Sequence, residues 1–196
     1  MNKILLVLLI LISFNLYAQD KEDNKKYDPQ NWFLGGSMSL GFGGGYYSSF
    51  QVGIHPHYGY TLASWIDAAA VANFEYSSSK DEYSNRYHNT IYGLGLFTRI
   101  YPVKFLFLQI EPEYNFIASK FIPGAGSSAK QTVSAPSLLL GAGYVTSRSD
   151  KNSFTYLSVL FDVLNDVNSP YTSQNNTPIP LIRAGINIGL NRKHKD

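Results

Sequence analysis

The stretch Phe50-Gln51-Val52-Gly53-Ile54-His55-Pro56-His57-Tyr58-Gly59-Tyr60-Thr61-Leu62 decides the fold. Side chains alternate across a strand with period two, so Phe50, Val52, Ile54, Pro56, Tyr58, Tyr60 and Leu62 share one face. Gln51, Gly53, His55, His57, Gly59 and Thr61 share the other. One face is continuous and oily. The other is small, polar and ionisable. A strand of a soluble sandwich also alternates, but it turns its polar face to water. This pattern suits a barrel turned inside out, oily outside and polar within, which a bilayer selects.

Seven further stretches alternate in the same way: about 32–42, 65–76, 89–101, 105–117, 133–145, 154–164 and 180–190. With 50–62 they run about 11–13 residues each, close to the roughly 9–11 that a tilted membrane strand needs. The fold class expected is all-β: an eight-stranded antiparallel up-and-down transmembrane β-barrel over residues 32–190. An eight-stranded barrel has a lumen that side chains can fill. Links are short at Ala63-Ser64 and Pro102-Val103-Lys104. They are longer and polar at Ser77–His88, Ala118–Thr132 and Asn165–Ile179. Short turns at one end and longer loops at the other are expected of such barrels. The short Gly43–Ser49 loop and the longer Thr146–Ser153 link depart from it. Aromatics collect at segment ends, at Trp32, Tyr46, Tyr47, Tyr58, Tyr60, Tyr76, Tyr92, Tyr101, Tyr114 and Tyr144, as interfacial girdles would.

The chain begins with an address. Lys3, the apolar run Ile4–Ile12 and Leu16-Tyr17-Ala18 read as a signal peptide over 1–18, cleaved after Ala18. Residues 19–31 form a polar lead-in and 191–196 a polar tail. Removing 1–18 takes Lys3 from the 16 basic residues and none of the 14 acids, leaving 15 and 14. That balance argues against nucleic acid as a partner. With no cysteine, disulfides, thiolate catalysis and lipidation through Cys are excluded. No segment after the signal is long and apolar enough for a transmembrane helix. A membrane location therefore requires a closed barrel, which satisfies every backbone group.

Three segments carry a family resemblance: Gly35-Gly36-Ser37-Met38-Ser39-Leu40-Gly41-Phe42, Val52 to Tyr60, and Tyr92-Gly93-Leu94-Gly95-Leu96-Phe97-Thr98-Arg99-Ile100-Tyr101. With them the whole mature chain resembles the small porin-like or OmpX-type outer-membrane β-barrels of diderm bacteria. The last strand, Arg183 to Leu190, resembles the terminal signal read by the barrel-assembly machinery. It departs in having Leu190 where an aromatic is usual, and in the tail that follows. The resemblance implies a cell outer-membrane location, outer-membrane lipid and the assembly machinery as partners, and a monomer. It implies a structural, adhesive or partner-binding role through extracellular loops, without enzymatic activity and with no cofactor or metal.

By the alternation, Asp67, Glu75, Arg99, Glu111, Glu113, Asp162 and Arg183 point inward, with His55 and His57. Buried charges must be paired. Asp67 with Arg99, and Asp162 with Arg183, fall at similar heights on neighbouring strands and are expected as ion pairs. Glu111 is within reach of Arg183 across the lumen; five acids against two arginines leave others, such as Glu113, without a base. His55 and His57, spaced i, i+2 near Asp67, have a metal-ligand spacing, but lumenal hydrogen bonding is the stronger reading. Two alternatives remain open. A secreted lipocalin-like carrier would turn the oily face inward to bind lipid. A lipid-modifying barrel enzyme, of the kind resembling lipid A deacylases, needs a serine near a histidine oriented by a third group. His55-Pro56-His57 offers no His-x-Ser neighbour, His88 is near a loop and His194 is in the tail.

Overall fold

The computed structural model describes residues 31–43, 48–124, 126–146, 153–172 and 177–190. The expected signal peptide, most of the expected lead-in, Tyr46, Tyr47 and the 191–196 tail with His194 lie outside the described residues. Eight strands follow in chain order: β1 Asn31–Gly43, β2 Ser48–Ala63, β3 Ile66–Lys80, β4 Arg86–Val103, β5 Leu106–Ile122, β6 Ala129–Val145, β7 Phe154–Asp162 and β8 Leu181–Gly189. Each pairs antiparallel with the next. β8 returns to β1 through Phe33↔Gly189 to Ser39↔Arg183, so the sheet closes into a barrel.

The alternation holds around the ring. Leu94 is 72% exposed on the outer face, whereas Glu111 on the inner face is 0% exposed. Leu34, Met38, Ile54, Leu96, Leu108, Leu157 and Ile186 join Leu94 outside. A lipocalin-like carrier requires the opposite arrangement, so the structure corrects that alternative: the oily face is outside and the polar face inside.

The interior is narrow, and glycine makes the room. Gly59 sits directly opposite Phe33, Gly143 opposite Phe107, Gly185 opposite Tyr156 and Gly53 opposite Glu75. A Cβ on Gly185 would come within 2.5 Å of Tyr156 Cζ, and one on Gly53 within 2.6 Å of Glu75 Cγ. A side chain there would displace a neighbour from an interior packed at near-crystalline density. Each of these small inward residues thus lies beside a large one on the next strand.

The long loops differ from expectation. Ser77–Lys80 and Arg86–His88 are strand, as are Ala118–Ile122 and Ala129–Thr132. The β3–β4 connection shrinks to 81–85, where the Asp81 carboxylate accepts from the Asn85 amide N–H at 2.9 Å and from its side-chain Nδ2 at 2.8 Å. Ser84 takes a φ of 65° to complete the turn. Asn85 Oδ1 then accepts from the Gly124 N–H at 3.0 Å, tying the two hairpins together. β3 to β6 therefore stand taller than β7 and β8 at the loop end. β7 stops at Asp162 rather than Leu164, and the chain beyond it turns back over the lumen, burying Ser169 and Tyr171.

One girdle assignment is also corrected. Tyr101 is 6% exposed and faces inward, among Phe107, Val145, Phe154 and Tyr156 at the turn end. Its odd number puts it on the inner face of β4. Trp32 and Tyr58 do stack outside at the same end, ring centroids 5.0 Å apart.

Candidate functional site: the charged lumen

The structure places His55, His57, Asp67, Glu75, Arg99, Glu111, Glu113, Asp162 and Arg183 on the inner face, each at most 5% exposed. They fall into two storeys. Near the turn end, the register sets Asp67 directly opposite Arg99. The Arg99 guanidinium lies 4.0 Å from the Tyr156 ring centroid, 4.4 Å from Phe97 and 4.8 Å from Phe107. An aromatic face attracts a desolvated cation through its quadrupole. Arg99 Nε donates to Gln109 Oε1 at 2.7 Å. The aromatic cage was not anticipated. It is assembled from three strands, and only the odd numbering of Phe97, Phe107 and Tyr156 hints at it.

Above it lies an acid-rich storey around Arg183. Arg183 Nη1 is 2.8 Å from Glu111 Oε1, and Nη2 is 3.3 Å from Glu113 Oε1. Gln109 Nε2 donates to Glu111 Oε2, linking the two storeys. Glu113 Oε2 accepts from Asn115 Nδ2 at 3.1 Å. Glu113 is therefore a partner of Arg183, not an unpaired acid. The expected Asp162–Arg183 pair is also corrected. The register sets Arg183 opposite Ser158, four residues below Asp162. Asp162 instead accepts from the Leu138 N–H at 3.0 Å, the Leu164 N–H at 3.1 Å and the Ser169 hydroxyl at 2.6 Å. Neutral donors converging on a buried carboxylate can hold its charge without a base.

Tyr171 closes this storey from above, and sequence reading missed it. It belongs to a link without alternation, so no periodic signal marks it. Its hydroxyl donates toward Glu113 Oε2 at 3.0 Å and lies 3.4 Å from Glu75 Oε1. Burial pushes the Tyr171 phenol above its ordinary pKa, so it remains a donor at working pH. Glu75 also accepts from Gln51 Nε2 at 2.6 Å. Tyr171→Phe removes one donor from two buried acids. It is expected to cost about 1.5–3 kcal/mol, the value of a hydrogen bond to a charged group. Urea titration checks this, and protease sensitivity of residues 163–172 should rise in step.

The histidines diverge. His57 Nε2 is 2.8 Å from Asn187 Oδ1, and its ring meets Phe97 edge-on at 5.2 Å between centroids. His55 Nε2 lies 3.0 Å from Ser39 Oγ and 3.4 Å from Glu75 Oε1, while Nδ1 lies 2.9 Å from Asn73 Oδ1. Among the described residues, no three His, Asp or Glu side chains gather in a group that could hold a metal ion. Ser39, His55 and Asn73 do stand in the hydroxyl–imidazole–amide order of a hydrolase relay. All three are buried to 2% or less, and Gly53 beside them has Ser39, Glu75 and His55 packed against it.

No protein-family model matches the chain, and no curated protein matches it. Several solved structures are similar. The N-terminal β-barrel domain of Pseudomonas aeruginosa OprF is 15% identical with a TM-score of 0.41, over 83% of this chain and 98% of that one. The translocator domain of the autotransporter NalP from Neisseria meningitidis is 9% identical with a TM-score of 0.47, over 94% of both chains. Neisserial surface protein A is 12% identical with a TM-score of 0.43, over 82% of this chain and 97% of that one. By its own closed ring of eight antiparallel strands, apolar without and polar within, this chain is a small β-barrel of the outer-membrane type.

Proposed function

We propose that this protein is a monomeric barrel of the outer membrane, closed to solutes by its own side chains and acting through a sheet that stands above the bilayer. The observation that carries the reading is the inversion of faces. A ring of exposed Leu, Ile, Val and aromatic side chains surrounds an interior of buried charges. In water that ring is an aggregation surface, and in a bilayer it is the solvated face. The closed lumen is supported by the two storeys of packed side chains and by Tyr171 above them. Burial of Ser39, His55 and Asn73 favours this reading over a barrel enzyme.

The loop end supports a partner-binding role. β6 runs from Ala129, but β7 pairs with it only from Leu139 to Val145. Among the described residues, no strand pairs with the far side of 129–137. An open strand edge is a site where an extended segment of another protein can add. Export through a cleaved signal and insertion by the barrel-assembly machinery complete the proposal.

The mature protein is expected to fractionate with outer membrane and to migrate differently on gels when unboiled. Recovery as a soluble periplasmic protein without detergent would overturn the reading.

A further inference from the structure

Seven lysines and arginines lie among the described residues, and their placement is uneven. Arg99 and Arg183 are in the lumen, and Lys104 is in the β4–β5 turn. The remaining four, Lys80, Arg86, Lys120 and Lys130, are all exposed on the even-numbered, outward face of β3 to β6 at the loop end. The register brings them together. Lys80 is directly opposite Arg86, Lys120 is directly opposite Lys130, and His88 is directly opposite Lys120.

Opposite neighbours on one face of a sheet have Cβ atoms about 4.5–5.5 Å apart, and like charges there repel. Two such pairs stand side by side here. Among the described residues, no carboxylate makes an ion pair with any of the four; the ion pairs found lie in the lumen. The nearby Asp81 carboxylate serves the Asn85 turn. An anion seated between the strands would relieve the repulsion, and phosphate suits it. Phosphate offers several acceptor oxygens, which a guanidinium and neighbouring ammonium groups can share.

The same face says where that phosphate comes from. On β4 it descends from His88 through Thr90 to Tyr92, Leu94 and Leu96. On β5 it descends from Lys120 through Ala118 to Phe116 and Tyr114. Tyr92 and Phe116 are directly opposite and stack with centroids 5.6 Å apart. The Tyr76 hydroxyl holds His88 Nδ1 at 2.8 Å at the boundary. The wall is thus cationic above and apolar below, with Thr90 and Ala118 between. Long basic side chains at such a boundary lay their stems on apolar surface and present their charge to headgroups.

We infer that Lys80, Arg86, His88, Lys120 and Lys130 form a site for the phosphate groups of an outer-leaflet lipid, whose acyl chains lie on the Tyr92–Leu96 and Tyr114–Phe116 wall. The inference rests on the membrane reading and names the lipid class at its outer boundary.

The test uses the full mature chain, first refolded into phosphatidylcholine vesicles to establish insertion. In detergent micelles it is then titrated, with native mass spectrometry as readout, against diphosphorylated lipid A, the same lipid stripped of phosphate, and inorganic phosphate. Lipid A is expected to bind, and the other two are not. Lys120→Gln with Lys130→Gln is expected to weaken lipid A binding roughly 30-fold, at the value of a basic residue near an anionic surface. Lys104→Gln, at the other end, leaves it unchanged. High salt on the wild type should remove the same preference, which guards against a variant that does not fold. Equal binding of phosphate-free lipid, equal binding by the double variant, binding of inorganic phosphate alone, or indifference to salt each overturns this inference alone. Failure of the wild type to insert overturns the membrane reading and this inference with it.

Discussion

Replacing Arg183 by Met is expected to destabilise the barrel by about 3–5 kcal/mol, the cost of removing one member of a buried ion pair. No other lumen substitution is expected to cost as much. Among the described residues Arg183 is the one lysine or arginine of the upper storey, and it holds Glu111 at 2.8 Å and Glu113 at 3.3 Å. Without it, two buried acids keep only neutral donors from Gln109, Asn115 and Tyr171. Five inward acids already face two arginines. Loss of a base therefore deepens an imbalance that loss of an acid relieves. Glu113→Gln keeps an acceptor for Tyr171 and removes one of the two carboxylates sharing the guanidinium, so its cost should be smaller. The folded fraction of both variants across a urea series, in detergent or lipid, decides the order. If Glu113→Gln proves the more damaging, Arg183 is not the centre of the network.

The second large effect concerns the outer wall. Leu140 faces out from β6, opposite Ile110 on β5 and Phe161 on β7. It lies five residues from the end of β6 at Val145, well inside the apolar belt. Leu140→Arg is expected to cost about 2–4 kcal/mol, the value for a lipid-facing arginine near the bilayer midplane. Thr132 faces out on the same strand eight residues higher, opposite Ala118 and one rung below Lys130. There Thr132→Arg should cost close to nothing, because water and headgroups solvate the charge. Refolding yield into phosphatidylcholine vesicles measures both. Equal tolerance would remove the belt, and with it the membrane reading.

The charge network shows where one-dimensional reading stops. Period two assigns every inward charge to the lumen, because a strand has only two faces. Pairing across the lumen is different. Glu111 and Glu113 reach Arg183 over 72 and 70 residues of sequence separation, through barrel closure rather than strand adjacency. Similar heights on neighbouring strands point to Asp162 for Arg183, but β7 and β8 are short and the link between them folds inward. That link brings Ser169 to Asp162 and frees Arg183 for the acids of β5. Tyr171 sits on the same aperiodic link and has no signature in the sequence.

Strand number, the face each residue takes and the inversion of polarity are legible in the chain alone. These follow from local alternation, and a one-residue slip would turn an oily row into the lumen. Register and height come from the way the strands meet. Tertiary pairing placed Gly59 opposite Phe33 and Gly143 opposite Phe107, so that each aromatic ring fills space its neighbour leaves. It extended β3 to β6 past the expected loops and set Lys80 against Arg86 and Lys120 against Lys130. Which rung meets which depends on hydrogen bonding between segments and on the turn that Asp81 and Asn85 close. Neither is encoded in the period of a single strand.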